Sequence, residues 1–150
     1  MDKEITVVIG KFNVITKNRC AYPAMSDENI RALCTARPVC IGANKDEPTY
    51  VNMSDIAGVV TAVTIENDSQ GVQVIHGTIA PTGPRKQMLI DRFNASQKDG
   101  TGFNIGPRML CSYEKREDGL LETKVAGIVA FDVIDCPPGE FPYVPSTKAG

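Results

Sequence analysis

The chain has 150 residues, of which 42% are hydrophobic and 23% charged, with a formal net charge of −2. That length suits one domain able to bury a core without metal or disulfide support. The near-neutral balance argues against a dedicated nucleic-acid coat while leaving room for a local basic patch, and no apolar run approaches the roughly 20 residues of a membrane-spanning helix.

Five cysteines occur, Cys20, Cys34, Cys40, Cys111 and Cys136, none in CxxC spacing. An odd count beside an acidic opening, MDKEITVV, points to reduced thiols and no secretory leader.

In chain order, residues 4–16 are rich in β-branched residues and form one long bent strand or two short ones, with Gly10 as a bulge or bend. Residues 17–23, KNRCAYP, are a turn. Ser26 is a helix N-cap followed by Asp27 and Glu28, where the positive helix end favours acids. Ile30, Leu33 and Cys34 make that helix's apolar face. Pro38 stops it by excluding the α conformation at Arg37, and Val39–Ile41 is a short strand.

Residues 42–53 form a polar loop, long enough for a compact domain to be a functional segment or a surface flap. Strands follow at 56–66 and 72–80, with Val59, Thr61, Val63 and Ile65 on one face of the first and Gln73, Ile75, Gly77 and Ile79 on one face of the second. Asn67–Gly71 is the hairpin turn between them. Thr82 caps a second helix that runs to about Ser96, with Pro84 in its first turn and Met88, Leu89, Arg92 and Phe93 as its packing face. Strands at 103–113, 120–126 and 128–134 complete the set, the first two joined by a tight turn at 117–119. The fold class is α+β: one domain over 1–136, a mostly antiparallel sheet or small barrel with two helices, followed by a proline-rich tail over 137–150.

The stretch GTGFNIGPRML, residues 100–110, opens the β-rich C-terminal part and makes Asn104 the first place to look for a reactive centre. His76, the only histidine, lies mid-strand with no partner fixed by spacing, so a plain strand residue is the simpler reading. Cys111 qualifies as a nucleophile only in an electropositive, partly exposed setting. The cysteines and His76 have no metal-ligand spacing, so buried structural thiols are preferred and no metal or cofactor is expected. Arg85 and Lys86 sit at a helix start, where free backbone N–H groups attract anions. Arg108 can hold a carboxylate or phosphate in bidentate fashion, or serve as a surface arginine.

Several motifs then follow a common order. NVITKNRCAYP (13–23) is a strand and turn ending in a Tyr-Pro pair, before the helix from Ser26. MSDI (53–56) opens the next strand after the polar loop. Residues 72–84 end in a Thr-Pro-type corner before a helix, FNIGPR (103–108) carries an arginine close behind, and AFDVIDCP (130–137) closes the set. In this order the chain resembles the prohead maturation serine proteases of tailed bacteriophages, which are herpesvirus-protease-like in fold. The resemblance places Asp55 in the histidine slot and Asn104 in the nucleophile slot. Asparagine cannot be that nucleophile and a carboxylate is a poor base in its place. The resemblance therefore implies the fold and a phage setting without the protease activity.

The expected function is a non-catalytic phage protein that binds a protein partner, either a capsid or scaffold protein or a host factor, in the host cytoplasm or on the virion. A sheet edge beside 103–108 offers strand addition. Two alternatives are an enzyme with displaced groups, Cys111 with His76, and a small-ligand or nucleotide-binding counter-defence protein using Asn104, Arg85, Lys86 and Arg108. A nucleic-acid partner is disfavoured, and no oligomeric state follows from the residues.

Overall fold

The computed structural model describes residues 3–16, 19–42, 49–99 and 103–134. The tail over 137–150, Cys136, residues 100–102 and the middle of the polar loop, residues 43–48, lie outside the described residues. The elements are β1 (Ile5–Phe12), β2 (Val14–Ile15), β3 (Cys20–Tyr22), α1 (Asp27–Cys34), β4 (Pro38–Cys40), a 3-10 turn (Met53–Asp55), β5 (Ile56–Asn67), β6 (Gln73–Pro81), α2 (Lys86–Asp99), β7 (Asn104–Lys115) and β8 (Leu121–Ile134).

The strands form one mostly antiparallel sheet in the order β1-β6-β5-β4-β8-β3-β2, with β7 also on β8. β8 is the hub. β7 pairs along one side of it, while β4 and β3 pair in parallel with its two ends on the other side. Among the described residues β7 and β1 come within 8 Å between Cα atoms but share no ladder. The α+β sheet therefore curls into a barrel left unlaced at that seam.

Alternation builds the core. Ile5, Ile9 and Phe12 of β1, Val60 and Val63 of β5, Ile75 and Ile79 of β6, and Phe131 of β8 gather with Ile30, Cys34 and Leu89 of the helices. Each fully buried Ile or Leu contributes about 1.5–3 kcal/mol through apolar area removed from water. Gly77 is small of necessity, because a Cβ there would lie 2.7 Å from Ile9 Cδ1. The bulge expected near Gly10 is present as a register shift between Val8 and Gly10, and it turns Ile9 into the core.

Ser26 caps α1 as expected, its Oγ accepting from Asn29 N at 3.2 Å, and Ile30 and Cys34 are fully buried. The helix ends at Thr35, and Ala36 then takes φ 68°, a left-handed position usually given to glycine. Asp68 closes the β5–β6 turn, its Oδ1 accepting from Gln70 N at 2.8 Å and Val72 N at 3.0 Å.

Five readings are corrected. Residues 20–22 are not part of a turn; they form β3, held by its parallel pairing with Leu121 and Glu122. The apolar face of β5 is not 59, 61, 63 and 65 throughout. A register shift between Val60 and Ala62 buries Ala57 and Val60 and exposes Thr61. α2 begins at Lys86, not after Thr82, because Gly83 has φ 84° and Arg85 N donates back to Ile56 O at 2.9 Å. Met88 lies 42% exposed, off the packing face that Leu89 and Phe93 do supply. Residues 120–126 and 128–134 are one strand, since β7 pairs along the whole of it and Gly127 sits opposite Leu110.

Candidate functional site

One end of the sheet gathers most of the residues singled out for chemistry. Cys40 at the end of β4 pairs with Ile56 on one side and Asp132 on the other, and Asp132 pairs with Gly106. Cross-strand partners share a face, so Cys40 and Asp132 lie on the side away from Val39 and Phe131, which are core residues. The segment returning from the polar loop covers this side. Asn52 caps its 3-10 turn, accepting from Ser54 N at 3.1 Å and Ser54 Oγ at 2.8 Å. Ile41 N then donates to Asp55 O at 3.0 Å, seating Asp55 beside β4.

Two arginines tie this end together. Arg108 donates through Nε to Asp132 Oδ2 at 2.9 Å, through Nη2 to Asp132 Oδ1 at 2.6 Å, and through Nη1 to Tyr50 O at 2.9 Å. Its side chain is 13% exposed and that of Asp132 20%. The hydrogen bonds to Asp132 hold the guanidinium above its ordinary range, against the opposing pull of burial. Arg85 donates through Nη1 to Ile41 O at 2.7 Å, and its Nη2 lies 3.3 Å from Asp55 Oδ1. Gly42, at φ 87°, makes room for that guanidinium, since a Cβ there would sit 2.6 Å from Nη1. Burial pushes the Cys40 thiol up; Arg108 opposes that shift, while Asp132 and Asp55 add to it.

Asp55, Arg85 and Arg108 are thus brought to one end, with Asn104 buried at the start of β7 opposite Ile134. Asp55 precedes β5, and β4 and β8 separate β5 from β7. Three strand spacings put about 14 Å of sheet between the two slots. Lys86 is exposed on the first turn of α2. His76 and Cys111 face opposite ways. His76 lies on the outer face across from Thr64 and Val8, with Nε2 3.4 Å from Glu66 Oε2. Cys111 pairs with Val125, which packs on the core, and burial pushes its thiol up.

Among the described residues no group of three or more His, Cys, Asp or Glu is arranged to hold a metal ion. A crevice of about 220 Å³ lined by Ile5, Ile90 and Phe93, and an open charged hollow around Glu114, Glu117 and Glu122, include none of Arg85, Lys86 and Arg108. No helix among the described residues is long and apolar enough to cross a membrane.

Sequence reasoning missed Asp132, Tyr50 and Cys40. Asp132 carried a signal: a lone carboxylate inside the apolar run IVAFDVI has to find a partner if the strand is buried. Nothing in the residues pointed to the Tyr50 carbonyl.

No family model, curated protein or solved structure matches this chain.

Proposed function

We propose that this chain is a non-catalytic binding protein that takes an extended segment of a protein partner along the outer edge of β7. The setting suggested by the motif order is tailed-phage biology, with a capsid or scaffold protein or a host factor as partner. One observation carries the reading. Among the described residues β7 is laddered on one side only, by β8, and its outer half presents Leu110 at 44% and Tyr113 at 58% exposure. An unpaired strand edge offers alternating donors and acceptors to an incoming strand, and flanking apolar side chains add grip. The favoured stretch is 110–115, because Asn104, Ile105 and Gly106 are buried.

The enzyme alternative finds no support in a histidine and a thiol on opposite faces of the sheet. The nucleotide alternative is weakened because Arg108 and Arg85 already spend donors on Asp132, Tyr50, Asp55 and Ile41. The test is a photo-crosslinking residue at Ser112, with the chain expressed during phage production. One dominant protein adduct is expected, lost in Leu110→Asp and in Tyr113→Asp. An adduct indifferent to both substitutions, or peptide hydrolysis by the purified chain that Cys111→Ala abolishes, overturns the reading. So does a nucleotide that raises the melting temperature of the wild type but not of Arg108→Ala.

A further inference from the structure

The crevice of about 220 Å³ between the start of β1 and α2 plays no part in the reading above. Ile5, Ile90 and Phe93 are its apolar lining, and Lys3, Glu4 and Asn94 stand exposed around it. Phe93 is held edge-on by Phe103, with ring centroids 5.6 Å apart. The volume lies below the roughly 300 Å³ at which small-molecule sites begin, so it suits one or two side chains rather than a cofactor. The strand directions bring the exit of β8 to this place. β1 runs antiparallel to β6, β6 to β5 and β5 to β4, while β8 runs parallel to β4 and antiparallel to β7. β8 therefore finishes at the end of the barrel where β1 and β7 begin. Its last residue, Ile134, pairs with Asn104, the neighbour of Phe103, and β7 adjoins β1. Two strand spacings, roughly 10 Å, separate that exit from the start of β1. Beyond it the sequence continues DCPPGEFPYVPSTKAG, residues 135–150, outside the described residues. Its large apolar side chains are confined to Phe141, Tyr143 and Val144.

We propose that this crevice takes residues 141–144 of the same chain, with the Phe141 ring set against Phe93 and Ile90. The stretch from Ile134 to Phe141 spans at most about 25 Å when extended, well beyond the gap to be crossed. Pro142 and Pro145 favour the polyproline II course. At three residues per turn that course puts Phe141 and Val144 on one side, and it needs little further ordering to dock on an aromatic wall. A third ring beside Phe93 and Phe103 extends their edge-to-face packing. The tether decides the occupant. A short linker gives the segment an effective concentration of about 1 mM, so an intrinsic dissociation constant of about 0.1 mM keeps the crevice filled about nine-tenths of the time. The same contact made by a second copy at about 10 µM would fill it only about a tenth of the time.

The test replaces Phe141 with the photo-crosslinker benzoylphenylalanine in the full chain at about 10 µM. An intrachain crosslink to residues 3–5 or 90–94 is expected, read by peptide mapping of the monomer band. Ile90→Asp should cut its yield by about tenfold and Ile90→Val by less than about twofold. Circular dichroism checks that both variants are folded. Without the crosslinker, Phe141→Asp should lower the melting temperature by about 3–6 °C, the shift that follows from losing a roughly tenfold bias toward the docked state. Phe141→Leu should lower it by less than half of that. Leu110→Asp should leave the crosslink unchanged, which separates this proposal from the one on β7. Crosslinks scattered over the barrel, or a crosslink unmoved by Ile90→Asp, overturn the proposal. A crosslink that runs as a dimer gives the crevice to a second copy and overturns it too, as does an unchanged melting temperature in Phe141→Asp.

Discussion

The β5–β6 hairpin and the Arg108 end of the sheet stand side by side in one barrel but are held by different means. Along β5 and β6, partners close in sequence pair in a continuous ladder around the Asp68 turn, and apolar side chains from both strands enter the core. At the Arg108 end, residues 41, 50, 55, 85, 108 and 132 meet from across the chain through hydrogen bonds and ion pairs. The hairpin distributes its stability over many small, replaceable contacts. The polar end concentrates it in a few groups, each leaving a buried charge or carbonyl unpaired if its partner is removed.

That contrast is broken most directly at Arg108. Arg108→Ala leaves the Asp132 carboxylate and the Tyr50 carbonyl without their donor, and should cost about 3 kcal/mol in urea unfolding. Glu66→Ala, which removes an exposed pair on the hairpin, should cost under about 0.5 kcal/mol in dilute protein. Equal losses at the two sites would erase the distinction.

Next comes Gly83, the corner that aims Arg85 at Asp55. Gly83→Ala puts a Cβ 2.6 Å from Ile56 O at φ 84°, and a loss of about 2–3 kcal/mol is expected from the left-handed strain and the clash. The same substitution should accelerate proteolysis near residues 49–55 if Arg85 is what holds that segment down.

The core side is probed by pH. Burial pushes the Cys34 thiol from 9.0 up to about 11, with Arg37 opposing. A thiol whose folded pKa is raised holds its proton more tightly in the folded state, so its contribution is intact below pH 9.0 and is lost as pH climbs through about 11. Unfolding free energy should therefore fall across that window, and Cys34→Ala should flatten part of the fall.

The smallest effect is expected at the end of α1. Ala36 sits at φ 68°, so Ala36→Gly should stabilise by about 0.5 kcal/mol, the left-handed penalty less the extra freedom of glycine in the unfolded chain. A loss of stability there would mean that the Ala36 methyl makes a contact worth more than the strain.

The same division marks what could be read in advance. Ser26, Asp68 and the alternation of β6 are local signals, and each was legible because cap, turn and period involve residues a few positions apart. The failures share a different cause. The bulge at Thr61 shifts the buried face of β5 without any mark in a run of β-branched residues. β3 lies between β2 and β8, and its pairing with β8 joins residues far apart in the chain. α2 starts late because Arg85 N finds Ile56 O. At the candidate site, the residues left Arg108 open between a bidentate hold on a carboxylate or phosphate and a place on the surface, and the structure supplies Asp132.

By itself the amino-acid order determined an α+β chain with a capped first helix, a long hairpin and a mostly antiparallel sheet, because hydrophobic period, capping and turn chemistry act over a few residues. Only the tertiary structure decided which strands became neighbours, that Asp55 and Asn104 were set apart by β4 and β8, and that the arginines closed on carboxylates of the same chain. Those outcomes depend on groups tens of residues apart. Their encounter is governed by the curl of the sheet and by the need to satisfy buried charge, and neither is written in any single stretch.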